Sequence, residues 1–110
     1  MNQDIRSILN ALNECANECN YCASACLDEE NVQMLTKCIK LNLDCAVICQ
    51  LASTLTARGS EHATHVMNEC VEICEACAEE CEKHAHMDHC RKCAEMCRAC
   101  AEVCSQRIAA

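Results

Sequence analysis

Cysteines recur at steps of three and four along most of this chain, and few folds can use such a spacing. Cys15, Cys19, Cys22 and Cys26 form one run, and Cys70, Cys74, Cys77 and Cys81 repeat its steps. Cys90, Cys93, Cys97, Cys100 and Cys104 form a third run, and Cys38, Cys45 and Cys49 a sparser one. Steps of three and four return to one face of an α-helix. A helix bundle ordinarily seats Leu or Ile at such positions; here they carry thiols. The rest of the sequence points the same way. It has no Pro, one glycine (Gly59) and one aromatic residue (Tyr21), which argues against sheet. Ala, Leu, Glu, Gln, Lys and Met, all good helix formers, make up much of the remainder.

The chain also matches itself at an offset of 55 residues. Cys15, Cys19, Cys22 and Cys26 map onto Cys70, Cys74, Cys77 and Cys81, and Cys38, Cys45 and Cys49 onto Cys93, Cys100 and Cys104. Asn42 stands opposite Cys97, and Leu35 opposite Cys90. This is the signature of a duplicated helical hairpin, with repeats over about 1–55 and 56–110 of a single domain spanning 1–110. Polar residues at 28–31, the Arg58-Gly59-Ser60 run and the stretch from His84 to Asp88 mark three turns, with Ser60 and Asp88 as candidate N-caps. Helices are expected over about 4–27, 31–57, 60–83 and 88–107. Short loops make neighbours antiparallel, so the fold class is all-α: an up-down-up-down four-helix bundle with cysteines lining the core.

A rise of 1.5 Å per residue stacks those cysteines in layers. Cys26, Cys81 and Cys90 fall nearest the end that holds the first and third turns. Cys22, Cys38, Cys77 and Cys93 come next, then Cys19, Cys74 and Cys97 beside Asn42. Cys15, Cys45, Cys70 and Cys100 follow, and Cys49 with Cys104 lie deepest. Ile8, Leu12, Leu55, Val66 and Ile108 are expected to plug the far end.

Thiols bury too little area to be chosen sixteen times as core filler. Disulfides are poorly served by stacked helical rows, because helix axes stand about 8–10 Å apart. Iron–sulfur motifs cluster their cysteines in loops. The opening residues lack the basic and apolar regions of a signal peptide, so the expected location is the cytosol, where dense cysteine reads as metal binding. A formal charge of −8 argues against a nucleic-acid partner. No basic cluster suggests an anionic membrane surface, and no apolar run is expected to approach the roughly 20 residues that span a bilayer.

Zinc and Cu(I) are the serious candidates. Zinc on four thiolates leaves two negative charges uncompensated, which is costly to bury in an already acidic chain. Cu(I) exchanges for one thiol proton without changing net charge, soft thiolates select it, and two sulfurs suffice to hold it. Pairs spaced C-x-x-x-C supply those two: 15/19, 22/26, 45/49, 70/74, 77/81, 93/97 and 100/104. All sixteen cysteines are therefore candidate ligands for multiple Cu(I) ions.

On these C-x-x-x-C rows, together with the turn His84-Ala85-His86-Met87-Asp88-His89-Cys90, the chain resembles the bacterial copper storage proteins over essentially its whole length. The lack of a signal peptide is similar to their cytosolic branch. The resemblance implies a homotetramer and a storage or detoxification role without catalysis; a copper chaperone is the expected donor or acceptor. The expected second helix, over 31–57, departs from it, with three cysteines and Asn42 in a cysteine slot. His84, His86, Met87 and His89, with Met34 opposite in the repeat, are candidate ligands where copper enters, since imidazole and thioether suit copper. His62 and His65, and the acidic Glu79, Glu80 and Glu82, are expected on solvated surface. Val32, Leu35, Ile39 and Leu43 form a second apolar stripe on the second helix and are expected to contact another subunit. A zinc or general thiol-metal reservoir, metallothionein-like, is the alternative function. A thiol redox protein is a third, disfavoured because it calls for one or two exposed, activated cysteines. No nucleophile triad or nucleotide loop marks an enzyme.

Overall fold

The computed structural model describes residues 1–110. It contains four α-helices: α1 (Gln3–Leu27), α2 (Thr36–Ala57), α3 (Ala63–Glu82) and α4 (Asp88–Ala109). A 3-10 turn over Val32–Leu35 leads into α2. Each helix packs on its two neighbours around a square, α1 on α2 and α4, α3 on α2 and α4. The bundle measures 44 × 19 × 17 Å. The α1–α2 and α3–α4 turns lie at one end, the mouth, and the α2–α3 turn lies at the other.

Local chemistry explains the helix ends. The Asn2 side-chain oxygen accepts from the Ile5 N–H at 2.8 Å and caps α1. After α2 the Ser60 N–H donates to the Leu55 carbonyl and the Gly59 N–H to the Thr56 carbonyl. This is a Schellman closure, and it requires the left-handed backbone that Gly59 adopts at φ 66°. Two expected caps fall elsewhere. Helix α3 begins at Ala63, and Ser60 instead accepts from the His62 N–H at 3.1 Å within the turn. Asp88 is the first residue of α4, with Met87 extended in the capping position. There its carboxylate faces the positive end of the helix dipole and pairs with Arg91 and Lys92.

The expected helix over 31–57 is broken at its start. Leu35 closes the 3-10 turn and is completely buried at the mouth end of the core, in the slot that the repeat sets opposite Cys90. Leu35 is therefore not an external contact, as the stripe reading had it. Val32 and Ile39 are half-buried, and the exposed apolar row on α2 is Leu43, Val47 and Leu51. The segment Val32–Ala57 also corrects the expectation about apolar runs. With a mean hydropathy of 1.3 in its richest window, it is long and apolar enough by composition to cross a membrane. In the bundle its inner face packs thiols and Asn42.

At the far end Ile8, Leu12 and Met67 are buried, while Leu55, Val66 and Ile108 are only half-buried. The plug is real but thinner than the sequence suggested.

Candidate metal centre

Every one of the sixteen cysteines has zero solvent exposure. Alanines make this packing possible. Ala16, Ala23, Ala46, Ala78, Ala94 and Ala101 each follow a core cysteine directly, and all are buried. With thiols and alanine methyl groups filling most of the space between them, the helices close to a narrow bundle, and sulfurs of different helices meet at 3.5–3.9 Å. This Cys-Ala pairing was readable in the sequence and went unused there.

The sulfurs form overlapping groups, each spanning less than 4.8 Å. Cys22, Cys26, Cys38 and Cys90 lie at the mouth, with Cys22, Cys81 and Cys93 next. Cys19, Cys77, Cys93 and Cys97 follow, then Cys15, Cys19, Cys45 and Cys97, then Cys15, Cys49, Cys74 and Cys100. Cys70 reaches Cys49 at 3.6 Å and Cys74 at 3.8 Å. Flat layers are thus the wrong picture. Cys38 sits with the mouth sulfurs and not beside Cys77, and Cys74 sits with Cys49 and Cys100 and not beside Cys19. Side chains lean toward the N-terminus of their own helix. On α2 and α4 that is toward the mouth, and on α1 and α3 away from it. Counting the rise places Cα atoms, whereas the chemistry depends on where Sγ arrives.

Asn42 fills its cysteine slot with an acceptor. Its side-chain oxygen takes hydrogen bonds from Cys77 at 3.1 Å, Cys93 at 3.2 Å and Cys81 at 3.6 Å. Its amide donates to the Cys38 sulfur at 3.7 Å. Burial pushes the Cys26 thiol up, and the neighbouring Cys22 and Cys38 sulfurs push the same way.

At the mouth the five proposed His and Met ligands separate. His89 closes over the sulfurs, its Nδ1 lying 3.5 Å from Cys90, 3.6 Å from Cys22 and 3.8 Å from Cys26. Its Nε2 lies 3.2 Å from Glu29. Burial disfavours the charged ring, but Cys22 and Glu29 outweigh it and hold its pKa above the usual value. His84 is mostly buried but turns to Glu80 at 3.2 Å. Met87 is half-buried; His86 and Met34 are exposed. His62 and His65 are exposed at the far end, as expected. Glu80 is not on the solvated face where the sequence put it. It is buried among Lys83 at 3.2 Å, Lys37 at 3.8 Å and His84. Burial opposes its ionisation, but the bonds from Lys83 and His84 win and hold its carboxyl below the usual range.

A cysteine-lined four-helix bundle of this kind has known counterparts. The copper storage protein family model matches residues 1–109.

The chain belongs to the copper storage protein family.

A cytosolic copper storage protein from Streptomyces lividans, solved with five coppers, superposes with a TM-score of 0.94 at 36% identity, covering 98% of this chain and 94% of that one. Apo copper storage protein 3 from Bacillus subtilis gives a TM-score of 0.87 at 39% identity, over 96% of this chain and 98% of that one. The cysteine-rich protein YhjQ of Bacillus subtilis (strain 168) is 39% identical over 91 residues, 83% of each chain. Copper storage proteins hold metal and do not catalyse, so the fold, the family and the non-enzymatic class agree with the sequence reading.

Proposed function

We propose that this protein stores and buffers Cu(I) in the cytosol on its sixteen core cysteines, at about one ion per cysteine. The observation that carries the reading is the column of buried sulfurs in overlapping groups. Cys15, Cys19, Cys22, Cys93 and Cys97 each belong to two groups. Sharing suits an ion that needs two sulfurs and can bridge along the column. It suits zinc less well, because each zinc needs four ligands and the groups here hold three or four sulfurs, several of them shared. Charge favours the same ion. Each Cu(I) replaces one thiol proton, so filling the core adds no net charge to a chain that already carries −8.

His89 is the step between the mouth and Cys22, Cys26 and Cys90, with His84, His86, Met87 and Met34 as outer stops for copper passed to or from a chaperone. Residues 1–110 act as one storage unit built from two hairpins. It associates with copies of itself, as a homotetramer, through the outer face of α2, where Leu43, Val47 and Leu51 are exposed.

Anaerobic titration of the reduced protein in weak buffer tests the reading. Cu(I) saturates near one ion per cysteine and releases about one proton per ion. Saturation at about four ions, with roughly four protons released for each Zn(II) and Zn(II) retained in competition, would overturn copper in favour of the zinc reservoir.

A further inference from the structure

The ligand that faces the mouth sulfurs has a partner on its other side. Glu29 lies in the turn after α1, and its backbone N–H donates to the Cys26 carbonyl at 3.1 Å. That bond ties the turn to the same helical end that presents Cys26. The Glu29 carboxylate then reaches His89 Nε2 at 3.2 Å, while Nδ1 of the same ring looks onto Cys22, Cys26 and Cys90 at 3.5–3.8 Å.

An ionised carboxylate only accepts hydrogen bonds, so a neutral His89 ring bonded to it must carry its proton on Nε2. The Nδ1 lone pair then faces the sulfurs and can only accept from their S–H groups, whose protons Cu(I) displaces. The other carboxylate–imidazole pair at this end works differently. Glu80 also accepts from Lys83 and lies 3.8 Å from Lys37, and the ring nitrogen of His84 that it holds is the only one of that ring in a hydrogen bond.

We propose that Glu29 is a positioning residue that fixes His89 as the Nε2–H tautomer, so that Nδ1 can take an arriving Cu(I) and pass it to Cys22, Cys26 or Cys90. The proposal rests on the mouth reading above and adds to it the group that makes the ring ready. In this tautomer copper binds Nδ1 through its lone pair and no proton has to leave the ring. In the opposite tautomer Nδ1 would have to lose its proton first. Carboxylates behind metal-binding imidazoles set tautomer and ring orientation in this way, and their loss costs tenfold or more.

Two measurements on reduced full-length protein test it. Nitrogen-15 NMR of the apo form, at a pH where His89 is neutral, reads the tautomer directly. Stopped-flow transfer from a Cu(I)–chelator complex reads the loading rate, and saturation reads capacity. The wild type shows His89 protonated on Nε2. Glu29→Ala gives a mixture of tautomers and initial loading slower by about tenfold, with capacity unchanged. Glu29→Gln keeps an acceptor oxygen and stays close to wild type in both readouts. Glu30→Ala, a change at an exposed neighbouring carboxylate, leaves both untouched. A wild-type ring protonated on Nδ1, or an unchanged tautomer in Glu29→Ala, overturns the proposal. So does a Glu29→Gln variant as slow as Glu29→Ala, which would assign the effect to charge. If His89→Ala is slow while Glu29→Ala is not, the mouth reading stands and Glu29 has no part in it. If His89→Ala loads at the wild-type rate, the mouth reading itself fails.

Discussion

Asn42 brings the one amide into a core of thiols, which are weak donors and poor acceptors for one another. One amide oxygen gathers Cys77, Cys81 and Cys93, and one amide nitrogen reaches Cys38, with no solvent in contact. Asn42→Ala removes the acceptor and leaves a void among groups that have little else to pack on. It should destabilise the reduced apo-protein by about 2 kcal/mol. Urea unfolding under reducing conditions measures this, and an unchanged midpoint would show that Asn42 is mere filler. The slot itself was legible, since the internal repeat set Asn42 opposite Cys97. What fills it chemically was not, because the bonds come from α3 and α4. Glu80 was illegible for a related reason. In sequence it is one of several acidic residues on α3, and only the fold brings Lys37 from α2 against it.

Among the elements, α2 departs most from its expected form. The 3-10 turn rises about 2.0 Å per residue in place of 1.5 Å and ends at Leu35, in the core just before the helix proper. At 100° per residue Leu35 lies only about 20° from Asn42, and the repeat sets it opposite the core Cys90, so its inward placement was legible and grouping it with Val32, Ile39 and Leu43 overrode that signal. The same pattern holds within α2, where Leu43, Val47 and Leu51 recur at i, i+4 and i+8 and remain exposed. The two sets therefore predict different consequences. Leu35→Ala opens a cavity and should cost about 2–5 kcal/mol of apo stability. Leu43→Ser, Val47→Ser and Leu51→Ser together should leave the fold and copper capacity intact and shift sedimentation toward the monomer. A triple variant that sediments like wild type would remove α2's outer face from the proposed interface. Cysteine placement along the other helices was legible from spacing alone. Which sulfurs meet was not, because that depends on side-chain lean in antiparallel neighbours.

At the scale of the whole molecule, the sulfur column lies between two ends of different chemistry in a bundle 44 Å long. At one end His89 stands against three thiols, and His84, His86 and Met87 lie in the turn that leads to it. At the other, Ile8, Leu12 and Met67 close the core with apolar packing, and His62 and His65 lie outside it. A Cu(I) ion crossing that plug would find one soft donor, the Met67 thioether, and no imidazole set against a thiol, a costlier route than the exchange from imidazole to thiolate at the mouth. The half-buried Leu55, Val66 and Ile108 thin the plug without adding a soft donor. Traffic should therefore run through the mouth alone. Replacing His84, His86 and His89 together should slow loading from, and release to, a Cu(I) chelator by about tenfold or more, while total capacity changes by no more than the ions held at the mouth. Replacing His62 and His65 should alter neither rate nor capacity. Stopped-flow transfer with both variants decides the matter. If the His62/His65 variant proves the slow one, copper reaches the column through the end assigned here as the plug.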